Sequence, residues 1–146
     1  MGPCEALWLD SDVLLDWLAK REPWNVAALE LVERAITGEW EIWFSPLTLA
    51  NIHYLYRRHA GLAEAAAAIE KLVRIGNIAP MDATHVRQAL ATRRSDFEDE
   101  LQIACAKSLS RLSAVITRNL DDYAQAPLPV YTAQGWLDLH PRPVPQ

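Results

Sequence analysis

Cysteine is scarce, with Cys4 and Cys105 the two among 146 residues and no CxxC motif. That excludes a disulfide framework and points to a reduced, cytoplasmic protein. Long apolar runs are missing too: residues 13–15 and 65–69 are among the longest, far short of the roughly 20 needed to span a membrane. The N-terminus shows no basic segment followed by an apolar core, so no signal peptide and no membrane attachment are expected. Positive charge is in deficit, 14 Lys and Arg against 19 Asp and Glu for a net charge of −5. This excludes binding to nucleic acid by bulk counterion release, so any such contact must be local or helped by metal. The four histidines, at 53, 59, 85 and 140, have no zinc spacing. No GxSxG elbow or Cys–His pairing supports a serine or cysteine hydrolase.

The length suits one domain that buries a core without staples, and the 51% hydrophobic content is that of an ordinary globular chain. Residues 6–9 form an apolar run ending in Asp10-Ser11-Asp12, as expected of a strand buried on both faces. Residues 13–18 read as helix, and residues 24–36 repeat Ala28, Leu31, Val32 and Ala35 at helical spacing before Gly38. Residues 41–44 read as strand. Ser45-Pro46 is a helix start, with serine as the cap, proline first, and Leu49, Ile52, Leu55 and Tyr56 on one face. Helices are expected over 62–75, over 83–91 behind Asp82, and from a capping box at Ser95 to Glu98 through 109, with Phe97, Leu101, Ala104 and Cys105 as its core stripe. Residues 78–79, 114–116 and 130–131 read as short strands, and 117–123 as a polar turn. Short strands alternating with helices predict an α/β fold, a three-layer α/β/α sandwich around a short central parallel sheet, occupying 1–139 with a proline-rich tail at 140–146. Its binding crevice belongs at the C-terminal strand ends.

Acidic residues fall at those ends. Asp10 and Asp12 follow the first strand, Asp121 and Asp122 follow the fourth, and Asp96 and Asp99 begin the intervening helix. Residues three apart on a helix project from neighbouring positions, so Asp96 and Asp99 can face one ion. Crowded carboxylates repel, and magnesium or manganese relieves that repulsion. The same residues also have ordinary uses. Acids favour a first helical turn, Asp12 suits an N-cap, Asp121 and Asp122 suit a turn, Glu98 is accounted for by the capping box, and His53 suits packing.

Residues 7–16 (LWLDSDVLLD) resemble the opening strand and turn of PIN domains. Residues 45–52 (SPLTLANI) are similar to the middle helix of that family, and 96–102 (DFEDELQ) with 114–123 (AVITRNLDDY) to its closing motifs. The resemblance spans about residues 6–137. It implies a magnesium-dependent (or manganese-dependent) ribonuclease, similar to the toxins of bacterial type II toxin-antitoxin pairs. A cognate antitoxin protein and a homodimer follow by the same implication. Asp10 takes the place of the first family acid and Asp99 that of the third. The second, usually glutamate, falls at Asn51, and the fourth, usually aspartate, at Asn119, so two anionic oxygens are replaced by neutral amides.

The expected metal ligands are therefore Asp10, Asp96 and Asp99, with Asp96, Asp12 or Asp122 making up lost charge. Asn51 and Asn119 are expected to orient ligands or water, and Arg118 to contact phosphate, with Arg57, Arg58, Arg93 and Arg94 extending the track. The alternative is a catalytically weakened PIN domain that binds RNA or protein, in which Trp17 and Trp24 anchor an antitoxin helix.

Overall fold

The computed structural model describes residues 4–93 and 96–143. Among these residues, five strands, β1 (Glu5–Leu9), β2 (Trp40–Phe44), β3 (Asn77–Ile78), β4 (Ala114–Ile116) and β5 (Val130–Tyr131), form one sheet. All neighbours pair in parallel, in the order β3-β2-β1-β4-β5. The chain builds outward from β1 to β3, then returns to place β4 against the other side of β1. This reversal leaves a crevice beyond the C-terminal ends of β1 and β4.

Among the described residues, seven helices cover the sheet: α1 (Ser11–Leu18), α2 (Asn25–Ile36), α3 (Pro46–Ala60), α4 (Leu62–Ile75), α5 (Ala83–Thr92), α6 (Phe97–Lys107) and α7 (Ala133–Leu139). β1 lies at the centre and buries Ala6, Leu7, Trp8 and Leu9 completely, which explains its lack of polar alternation. Its side chains divide between two cores. Leu7 and Leu9 meet Leu14, Leu31, Ile42, Ile52 and Leu72 on one face. Ala6 and Trp8 meet Ile103, Cys105, Val115 and Tyr123 on the other. The expected α/β/α layering follows from these two faces.

Most element starts obey local chemistry. Ser45 caps α3 in a capping box closed by Thr48, with Pro46 at the first position. Asp82 caps α5. Four expectations need correction. α1 begins two residues early, with Asp10 rather than Asp12 at its N-cap. At α6 the cap is Asp96, whose carboxylate accepts from the Asp99 N–H at 3.1 Å, while Ser95 lies outside the described residues. Phe97 is exposed rather than part of the core stripe. Residues 117–123 are no simple polar turn, because Thr117 and Tyr123 are buried and Leu120–Tyr123 form a 3₁₀ turn.

α7 is an element the sequence reading did not expect. Thr132 caps it by accepting from the Gly135 N–H, and it buries Trp136 and Leu137. Beyond it, His140 stacks on Trp136 with ring centroids 4.0 Å apart, and Arg142 lies 3.5 Å from Glu30. Among the described residues, no helix is long and apolar enough to cross a membrane.

Candidate functional site at the strand ends

The crevice is organised by hydrogen bonds between segments about a hundred residues apart. The Asp10 N–H donates to the Ile116 carbonyl at 3.0 Å, continuing the β1–β4 ladder by one residue. The next residue, Thr117, is fully buried and donates its hydroxyl to Asp10 Oδ2 at 2.9 Å. That hydroxyl accepts from the Asn119 N–H at 3.0 Å. Asp12 Oδ2 accepts from the Arg118 N–H at 3.0 Å. The loop after β4 is thus tied to the start of α1 by two carboxylates, and Asp10 also takes a bond from the Ser11 N–H.

α6 brings the third group. It packs against the 3₁₀ turn, so that Asp99 stands in the field of Asp122, Asp96 and Asp10. Burial first, and then these three carboxylates, push Asp99 up to about 7. Asp10 is pushed up to about 6, chiefly by burial and then by Asp12, against the stabilising bonds from Thr117 and Ser11. Asp12 is also raised, by burial, and its Oδ1 is buried without a hydrogen-bond partner. Tyr123 forms part of the floor. Its phenol is raised by burial and then by Asp10, Asp99 and Asp12.

The donors on offer are all carboxylate oxygens, which suits a hard cation such as magnesium rather than zinc. Carboxyls raised by burial and by like-charged neighbours, as Asp10 is by Asp12 and Asp99 by Asp122, Asp96 and Asp10, are the electrostatic condition that a divalent ion relieves. Among the described residues, however, no three His, Cys, Asp or Glu groups converge as a ready-made cage. An ion that keeps several of its waters, as magnesium does, would need only two or three of these carboxylates.

The amides take different positions. Asn51, on α3, donates its side-chain N–H to Glu98 on α6. The two line a cavity of about 250 Å³ with Ser11, Tyr54 and Leu55. Glu98 is therefore the acid beside Asn51, a contact that the capping-box reading left out. The helices meet there because Ser45 and Thr48 of the α3 start bind the buried Gln102 of α6, with Ser45 Oγ donating to Gln102 Oε1 at 2.7 Å and Gln102 Nε2 to Thr48 Oγ1 at 3.1 Å. Asn119 lies on the opposite side, at the head of the 3₁₀ turn, lining a cavity with Arg118 and Asp122.

Of the arginines, Arg118 is engaged by protein: its Nε lies 3.0 Å from Asp16 Oδ2 and its guanidinium 3.8 Å from the Trp24 ring centroid. Arg58 lies 5.8 Å over the ring of Tyr54, which lines the Asn51–Glu98 cavity. Arg93 caps the C-terminus of α5 in a left-handed conformation, and Arg94 lies outside the described residues. The roles of Thr117, Glu98 and Gln102 went unread because each depends on a partner at least 47 positions away.

The PIN domain family model matches residues 6–121. Among solved structures, the DNA-bound VapBC complex of Salmonella typhimurium contains a similar chain, with TM-score 0.66 and 18% identity over 88% of this chain and 98% of that one. VapC20 of Mycobacterium tuberculosis, a sarcin-ricin loop cleaving toxin, matches with TM-score 0.66 and 15% identity over 82% and 94% of the two chains. A toxin-antitoxin complex from Klebsiella pneumoniae matches with TM-score 0.63 and 21% identity, over 87% and 97%. These likenesses establish the fold. No curated protein matches the sequence.

Proposed function

Because the chain belongs to the PIN domain family, we propose that it is a magnesium- or manganese-dependent endoribonuclease, the toxin of a type II toxin-antitoxin pair. The observation that carries this reading is the placing of Asp99 within the field of Asp10 at the switch point of the sheet, each carboxyl raised first by burial and then by acidic neighbours. Asp10 and Asp99 would hold the metal, directly or through water, with Asp96 and Asp122 adding negative charge close by. When bound, the ion offsets phosphate charge and lowers the pKa of a coordinated water.

The remaining work belongs to the chain. Thr117 fixes Asp10 by its 2.9 Å bond and is itself held by the Asn119 N–H, so the first carboxylate is aimed before substrate arrives. Asp96 serves twice, capping α6 through the Asp99 N–H and adding charge beside the Asp99 carboxylate. Asn51 positions Glu98 at the mouth, where the pair supplies one negative charge close to the place of the second family acid. Asn119 and Arg118 line the other flank, and Arg58 lies beside Tyr54 on the first, giving the RNA strand a polar path across the acids. Hydrolysis adds water across the P–O3′ bond. The products are a 5′-phosphate and a 3′-hydroxyl, the departing oxygen taking the proton that water gives up.

The test is cleavage of a structured RNA with manganese by the purified protein and by Asp99→Asn. The expected result is a loss of at least a hundredfold in the variant, with 5′-phosphate ends in the wild-type products. Equal activity of the two would overturn the assignment. A cognate antitoxin and self-association belong to the same proposal, and the VapBC likenesses support a protein partner. The non-catalytic alternative draws on the amides at 51 and 119 and on the absence of a three-acid cage among the described residues. Metal-independent RNA binding without cleavage is its expected result.

A further inference from the structure

One charged group on the molecule is built more elaborately than the reading above requires. Arg118 lies over Trp24, its guanidinium carbon 3.8 Å from the ring centroid, and pairs with Asp16, whose residue is 2% exposed. Asp16 also takes Arg21 Nε at 2.9 Å, and Arg21 donates in turn to the Asp12 carbonyl at 3.0 Å. Two guanidinium groups thus share one carboxylate and leave one net positive charge, on a protein whose total is −5.

Trp24, Arg118 and Asp16 form part of the wall of a cavity of about 300 Å³, closed otherwise mainly by small and apolar side chains such as Val13, Ala27 and Ala133. Along α1 its wall runs from Val13, the residue after Asp12, to Asp16. Gln134 stands at its edge with its amide nitrogen held by Asp138 at 2.8 Å, which leaves the amide oxygen as the acceptor it can offer.

We propose that this cavity is a nucleobase subsite, in which a base of the RNA strand stacks on the Arg118–Trp24 pair. The proposal rests on the RNA-cleaving reading for its substrate class. A flat, weakly hydrated guanidinium already immobilised by Asp16 and Trp24 offers a stacking platform with little entropy left to lose. A base covers that face with π-electrons while its edges reach Gln134, and the neighbouring phosphate meets the surplus charge of the Arg21–Arg118 pair. An aliphatic side chain from a protein partner would fill the walls but strip water from the guanidinium without replacing it. The subsite thereby supplies the local cationic contact that the acidic composition withholds elsewhere, and it fixes the strand on the Asp12 side of the acids.

The experiment is a ligand titration of the metal-free protein in a chelator, followed by saturation-transfer NMR. Adenosine, adenosine monophosphate, ribose 5-phosphate and N-acetylleucinamide are the probes. Adenosine is expected to bind at millimolar concentration and to shift the Trp24 indole resonance, with the monophosphate several-fold tighter and ribose 5-phosphate much weaker than either. Ala133→Leu, which fills the cavity, is expected to weaken adenosine at least tenfold. Trp24→Leu, at a half-exposed position, gives the same loss and decides the matter should the first variant fail to fold. Binding is expected to survive in Asp99→Asn, so failure of the metal site and failure of this subsite are separable. Ribose 5-phosphate binding as well as the nucleotide, preference for N-acetylleucinamide, or adenosine binding indifferent to both cavity variants would each overturn the proposal.

Discussion

Thr117 carries more of the site than its size suggests. Its hydroxyl is the one side-chain donor to the Asp10 carboxylate among the described contacts, and it is completely buried. Thr117→Val keeps the shape and removes the bond, leaving a buried carboxylate short of a donor. A loss of about 1–3 kcal/mol in urea denaturation is expected, with Thr117→Ser close to wild type. The residue was hidden in the sequence because its partner is 107 positions away and is met only through the parallel pairing of β1 with β4. Asp10 and Asp99 were legible, since acids that end a strand or open a helix stand out from the apolar pattern around them. Glu98 was legible as an acid but not as the partner of Asn51, because that contact depends on how two helices cross.

At the scale of elements, local rules worked where capping chemistry is self-contained. Ser45-Pro46 announced the start of α3, with both halves of the capping box formed as the residues suggest. The same rules missed α7, whose seven residues include Gly135 and offer two buried side chains, too few to establish a period. They also enrolled Phe97 in the core stripe of α6, where it is exposed at the first turn while Leu101, Ala104 and Cys105 are buried. The register of α3 against α6 depends on the buried Ser45–Thr48–Gln102 network, which a one-dimensional reading does not contain. Gln102→Leu leaves the Ser45 and Thr48 hydroxyls without that partner. We expect a loss of about 1–3 kcal/mol in stability. Hydrogen exchange is expected to rise at the N-terminal turns of both helices, whereas unchanged exchange there would remove the network from its positioning role.

For the whole molecule, the acidic crevice sets a pH dependence that metal should reverse. Asp10 and Asp99, raised to about 6 and about 7 from an ordinary 3.8, bind more protons folded than unfolded between those values. Their contribution to stability is therefore fullest below pH ~4 and is lost as pH rises through ~7. Without metal, Asp99→Asn should be more stable than wild type at pH 8, by about 1 kcal/mol once solvent screening of this partly buried group is allowed for. The two should converge near pH 4. Melting curves at the two pH values, with chelator present, measure the difference.

The proposed divalent-metal site is made by the carboxylates gathered at the sheet reversal, with the neutral amides of Asn51 and Asn119 beside it. A calorimetric titration of manganese into the wild-type protein and Asp99→Asn at pH 7.5 tests it most directly. Saturable binding by the wild type is expected, with protons released as Asp99 ionises, and at least tenfold weaker binding by the variant. Indistinguishable isotherms, or no heat of binding to the wild type at millimolar manganese, would contradict it.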